Sequence, residues 1–271
     1  MGYINYESKK GRLGEDFYGE CIEGIKEYIE DCGWNKTLDG ESKNNNCDIE
    51  ACYLAQQIWT IVMENEANLG KPFSSNELDW KKDDYEIVKF HFDIMNNPSV
   101  KNQKYSCGLA RACSEDKRDE WKGIYHTIGN MAPIPWFKIE GEHFINGQNV
   151  HKALDERWDL YLSVLRNQWR DWINSAEPKL TFERYMEITC QQIFFQSVFD
   201  SVGEVNKIKL EDVEKWNKMI TPNTPLISFS DSNEDTTDKM VDKIIKTIKV
   251  RNHVIGLKLQ KWKEDRESSK S

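Results

Sequence analysis

The chain has 271 residues, a formal net charge of −9, 31% charged residues and 11% aromatics, with ten tryptophans among them. Such length suits one large domain, and this much aromatic side chain excludes a wholly disordered polypeptide. The acidic balance excludes broad nonspecific affinity for nucleic acid, which needs cation density, and leaves only a local basic face for such contact.

Seven cysteines at irregular spacing, Cys21, Cys32, Cys47, Cys52, Cys107, Cys113 and Cys190, read as reduced thiols and not as a disulfide framework. No basic-then-apolar leader follows Met1, and no apolar run approaches the roughly 18 residues that span a bilayer. With a mean hydropathy of −0.74, the expectation is a cytoplasmic protein that does not touch a membrane. Charge is uneven along the chain: residues 1–70 are acidic, with Glu15, Asp16, Glu20, Glu23, Glu27, Glu30 and Asp31, whereas Lys239 to Lys270 is rich in Lys and Arg. Two solvated helix faces of opposite sign explain this, and so does a docking surface for an acidic partner or a second copy.

In chain order, Phe17, Tyr18, Cys21, Ile22, Ile25, Ile29 and Cys32 recur at three- and four-residue steps, which predicts an amphipathic helix ended by Gly33. After a polar loop, Asp48 caps a second helix carrying Cys52, Ala55, Ile58, Trp59 and Val62. Between Tyr85 and Met95 two periods compete; Tyr85, Val88, Phe92 and Met95 fit a helix, and helix is the expectation. The segment His126 to Phe137 holds Pro133, Pro135 and Gly129, so it must be extended or turning. Phe137–Ile139 and His143–Ile145 can then make a small hairpin, followed by the turn dipeptide Asn146-Gly147.

From Leu154 through Trp158, Tyr161, Leu162, Leu165 and Trp169 to Trp172, helical spacing holds for about five turns. Thr181 caps a further helix that buries Phe182, Tyr185, Met186, Thr189, Ile193 and Phe199. A last helix begins near Thr237 and places Val241, Ile244, Ile245, Ile248, Ile255, Leu259 and Trp262 on one stripe. The fold class expected is mainly α, an irregular bundle of about seven to nine helices with a small β-hairpin or extended insertion around residues 126–147. One domain over 1–271 is organised as an acidic helical part (1–70), a helical core with the extended segment (71–220), a flexible connection (221–236) and a basic amphipathic helix (237–267).

Chemistry concentrates at the extended segment. A single helix through Asp155 and Asp159 puts both carboxylates on one face, with Arg157 beside the apolar stripe. Facing a turn with Thr127, Gly129, Asn130, Asn146 and Gly147, that set can bind a polar or phosphorylated ligand. Equally, the acids and Arg157 can form ion pairs that pin the irregular segment to the helix. No nucleophile elbow, phosphate loop or dinucleotide fingerprint is present, and Cys47/Cys52 and Cys107/Cys113 are poorly spaced for zinc. No metal or other cofactor is therefore expected. An enzyme reading makes His126, Asp155 and Asp159 the catalytic set of a metal-dependent hydrolase, with His143 as a further ligand.

The order Thr127-Ile128-Gly129-Asn130-Met131, Pro135, Ile145-Asn146-Gly147, Asp155 through Leu160, Phe194-Phe195 and Arg251-Asn252 resembles a bacterial family of unknown function. Members carry Ile-Gly-Gly-Met, Phe-Pro, Ile-Asn and Asp-Arg-Phe-Asp-Leu in that order; this chain has Asn130 for the second glycine and Trp158 for the phenylalanine. The resemblance covers about Tyr125 to Asn252 and implies a shared fold without a transferable activity. Thr127–Asn130 is also similar to the Leu-Gly-Asn segment of His-Asn-His restriction nucleases. The acid–histidine pair that supplies their general base is missing here, since only His91 lies upstream at a tolerable distance. These likenesses imply a bacterial or phage protein that binds a protein partner or polar ligand through the central motif, with a role in phage–host conflict as an extension.

Overall fold

The computed structural model describes residues 105–139, 142–147, 157–173, 181–229 and 236–269, and beyond these residues 55, 58–59, 61–62, 80–82, 85–87, 91–95, 98, 150 and 154. The fold is mainly α. Among the described residues run helices α1 (Tyr105–Ala112), α2 (Glu115–Ile124), α3 (Trp158–Ile173), α4 (Phe182–Ile188), α5 (Gln196–Ser201), α6 (Leu210–Met219) and α7 (Thr237–Ser268). Ala55, Ile58, Trp59, Ile61 and Val62 are helical and buried, as their spacing predicts. The predicted helix over Phe17 to Cys32 lies outside the described residues.

The axis of the molecule is α7. Met240, Val241, Ile244, Ile245, Ile248, Val254, Ile255, Leu259 and Trp262 are all buried along it. Thr236 caps its start, accepting a hydrogen bond from the Lys239 amide at 3.4 Å. Burial occupies more than one stripe, and α2, α6 and the Ile128–Asn130 turn all pack against it. The lysines on α7 mostly reach back to this chain: Lys246 Nζ donates to the Phe199 and Val202 carbonyls at 2.9 and 3.1 Å, and Lys249 meets Glu120 at 2.5 Å.

Short antiparallel β-pairs form the insertion: β1 (Trp80–Lys82) with β2 (Tyr85–Ile87), β3 (His91–Asp93) with β4 (Met131–Pro133), and β5 (Trp136–Ile139) with β6 (Glu142–Asn146). The last of these is the expected hairpin. In it Asn146 closes β6 opposite Trp136, and after it the chain becomes helical at Gly147. Between Tyr85 and Met95 the structure has strands where helical spacing was favoured, since Phe92 pairs with Ala132 across a ladder that helical periodicity cannot see.

Two further helical expectations are corrected. Arg157 is not helical, and the first intrahelical bond of α3 runs from the Tyr161 amide to the Arg157 carbonyl at 2.9 Å. One continuous helix does not carry Leu154 through Trp172. The helix after Thr181 also breaks, at Cys190, whose φ of 54° puts it in the left-handed region. There the Gln191 amide returns to Met186 O at 2.7 Å and the Cys190 amide to Glu187 O at 3.2 Å, the bonding of a Schellman end. Finally, the 221–229 part of the expected flexible connection is bound down. Arg166 donates to the carbonyls of Thr224, Thr221 and Pro222 at 2.6, 3.2 and 2.6 Å, and Arg170 also donates to Pro222 O.

Candidate functional site, a buried polar clasp

The segment Thr127–Asn130 holds the densest convergence of polar bonds among the candidate residues, and it is inside the protein. Thr127, Asn130, Arg251 and Asn252 are each 0% exposed. Prolines at 133 and 135 and the 3-10 turn Ile128–Asn130 prevent this stretch from using helical bonds, so its backbone must find partners elsewhere. Asn252 supplies them from α7. Its Oδ1 accepts from the Gly129 amide at 2.5 Å, and its Nδ2 donates to Thr127 Oγ1 at 2.8 Å, while that hydroxyl donates to Ile124 O at 2.7 Å.

Gly129 is required by this approach. A Cβ there would sit 2.6 Å from both the Asn252 amide nitrogen and Oδ1, and closer still to the Ile248 carbonyl. No side chain fits between the turn and the helix. Gly147 has a comparable role, since a Cβ would come within 2.6 Å of Pro135 O and Ile134 Cγ2. Its amide donates to Pro135 O at 3.0 Å.

Arg251, next to Asn252, joins three elements. Its Nε and Nη2 donate to Cys190 O at 2.9 Å and Thr189 O at 3.1 Å, buried carbonyls at the end of α4, and Nη1 donates to Gly129 O. The guanidinium also lies 5.6 Å over the Trp59 ring. The charge thus meets the negative end of a helix. Burial pulls its pKa down to about 10, which leaves it cationic at neutral pH.

Asn130 faces the other way. Its Nδ2 donates to Met95 O at 2.6 Å and Tyr125 O at 2.7 Å, and its Oδ1 accepts from the Met95 amide at 3.0 Å. The side chain therefore imitates a strand edge and docks the segment after β3. A glycine here would leave Met95 without those bonds.

A second polar layer continues from the end of α4. Gln191 accepts from Trp158 Nε1 at 3.0 Å and donates to Thr189 Oγ1 at 2.8 Å and Tyr185 Oη at 3.1 Å; Tyr185 in turn donates to Pro133 O at 2.6 Å. Burial pushes the phenols of Tyr185 and Tyr161 well above their usual range, so both stay protonated. Thr189, Gln191 and Arg251 were not among the candidates. For Thr189 and Arg251 the signal was available, a polar residue where an apolar stripe should continue; Gln191 carries no such signal.

Arg157 and Asp159 make a separate arrangement. Arg157 forks onto Asp159, Nε to Oδ1 at 3.0 Å and Nη2 to Oδ2 at 2.9 Å, and Asp159 is 4% exposed. Asp159 Oδ2 also accepts from the Phe229 amide at 3.2 Å and Ser228 Oγ at 3.3 Å. This is the ion-pair arrangement, pinning a segment far along the chain. His126 is half-buried, its ring centroid 3.7 Å from that of Tyr125. His143 stands on β6 opposite Lys138. Asp155 lies outside the described residues. Among the described residues no three His, Cys, Asp or Glu side chains are gathered so as to hold a metal ion. None of the helices described is long and apolar enough to cross a membrane.

No protein-family model, curated protein or solved structure matches the chain. The clasp must be read from its own chemistry.

Proposed function

We propose that this chain is a noncatalytic binding protein, in which the central motif is the scaffold and a protein partner is taken on the outside of the core. The observation that carries this reading is the hydrogen-bond economy of Thr127–Asn130. Its side chains and the Gly129 amide are all engaged by Ile124, Asn252, Met95 and Tyr125. A ligand-binding motif needs donors or acceptors turned outward, and a buried saturated one stabilises a fold. Asp159 supports the same reading, because both oxygens of this buried carboxylate are taken up by Arg157, Phe229 and Ser228 and not by a cleft.

The motifs that carry the resemblance to the bacterial family fit as well. Gly129 and Arg251-Asn252 meet at the clasp, and Trp158 joins the polar layer beside it through Gln191.

Native mass spectrometry of the purified chain, set against its denatured mass, tests the proposal. The expected result is one apo mass, unchanged in Asp159→Asn. A bound metal or small molecule that disappears in Asp159→Asn would contradict it and restore the hydrolase reading.

A further inference from the structure

Residues 221–229 follow α6 without regular secondary structure of their own, and they are held in the manner of a bound peptide. At one end Arg166 and Arg170 clamp the carbonyls of Thr221, Pro222 and Thr224. In the middle, the backbone adds to the edge formed by Phe194–Gln196. Gln196 N donates to Pro225 O and Ile227 N to Phe194 O, both at 2.8 Å, around an antiparallel bridge between Phe195 and Leu226. At the far end Phe229 is 0% exposed and meets the Phe194 ring edge-on at 6.2 Å, with its amide on Asp159. Main-chain pairing for affinity, an aromatic anchor and an arginine clamp are the recurring means of holding an extended peptide.

The two ends are unequal. The arginine end holds three carbonyls with four bonds, from Arg166 at 2.6, 3.2 and 2.6 Å and one more from Arg170, whereas Asp159 holds only Phe229 N and Ser228 Oγ, at 3.2 and 3.3 Å, the long limit of useful hydrogen bonds. Arg166 Nε is buried without a partner, although its guanidinium is flanked by the Phe182 and Phe195 rings at 5.7 and 5.5 Å. A donor of that kind is unsatisfied by the occupant now in the groove.

We infer that residues 221–229 are an autoinhibitory strap, lying in a groove that accepts an extended partner peptide with apolar residues leading to an aromatic anchor, and that the strap opens from its Asp159 end. The inference rests on the binding-protein reading and names the partner's chemistry. A tethered strap competes at an effective concentration of roughly millimolar, so a free peptide gains access only when the latch is weakened.

The probe is a fluorescein-labelled synthetic peptide of residues 221–229, with a scrambled control, titrated onto the full-length wild type and Asp159→Asn. The expected result is binding to Asp159→Asn at least tenfold tighter than to wild type, and none by the scrambled peptide. Equal binding, or none, to a folded variant overturns the inference. Hydrogen exchange on the wild type decides independently of that variant's folding. The Ile227 and Phe229 amides are expected to exchange at least tenfold faster than the Gln191 amide under α7. Exchange of all of them together, by global unfolding alone, overturns the strap. Failure here leaves the binding-protein reading standing, whereas a metal mass lost in Asp159→Asn sinks that reading and takes the strap's latch with it, so the two failures are told apart by the mass.

Discussion

Gly129→Ala is expected to lower the thermal midpoint by roughly 6–12 °C, the equivalent of about 3 kcal/mol in a chain of this size. The added methyl would meet backbone atoms of α7 at Ile248 and Asn252, not the tip of a flexible side chain. Relief requires the turn to withdraw, and withdrawal breaks the 2.5 Å bond from the Gly129 amide to Asn252 Oδ1 and the Arg251 bond to Gly129 O. Differential scanning calorimetry reads the effect directly. A shift of less than about 2 °C would mean that turn and helix are not in contact as described.

Arg251→Met should be comparably damaging, with a loss of about 3 kcal/mol in urea unfolding. The methionine restores the apolar volume and removes the desolvation of a buried cation, which favours the variant. Against it, the carbonyls of Cys190, Thr189 and Gly129 lose their donor in a place that water does not reach. Unsatisfied acceptors at the end of α4 outweigh the regained solvation, because a helix C-terminus concentrates them. Arg251→Lys is expected to fall between the two, since one ammonium cannot fork across three carbonyls. A fully stable Arg251→Met protein would show that the charge is incidental.

Much of the helical fold was legible because burial leaves a period. The stripes on α7 and on α3 from Trp158 onward, and the Thr181 cap, which accepts from the Arg184 amide at 3.1 Å, follow from spacing and capping chemistry alone. Helices α2 and α6 were not resolved from their sequences, as α2 buries only Trp121 and Ile124 among ten residues and α6 only Val213 and Trp216. Strands β3 and β4 pair across a long separation in sequence, and such register carries no local signal.

The candidate site was legible as a place and not as an arrangement. Two prolines and a glycine marked Thr127–Pro135 as irregular. What they could not mark was the partner, because Asn252 lies 123 residues from Gly129 and comes into reach only when α7 packs. The carboxylate pair failed as a single helical face for a local reason: the chain is not helical at Arg157, and Asp159 turns to the strap.

The central claim is that Thr127 and Asn252 act on each other to hold the fold. A double-mutant cycle measured by urea unfolding, with Thr127→Val, Asn252→Ala and the pair, tests it most directly. The account predicts a coupling of about 1 kcal/mol, the two single losses exceeding the loss in the double variant once the shared bond is gone. Additive losses would contradict it, leaving Thr127 and Asn252 as independent residues and the motif open again as a surface for a ligand.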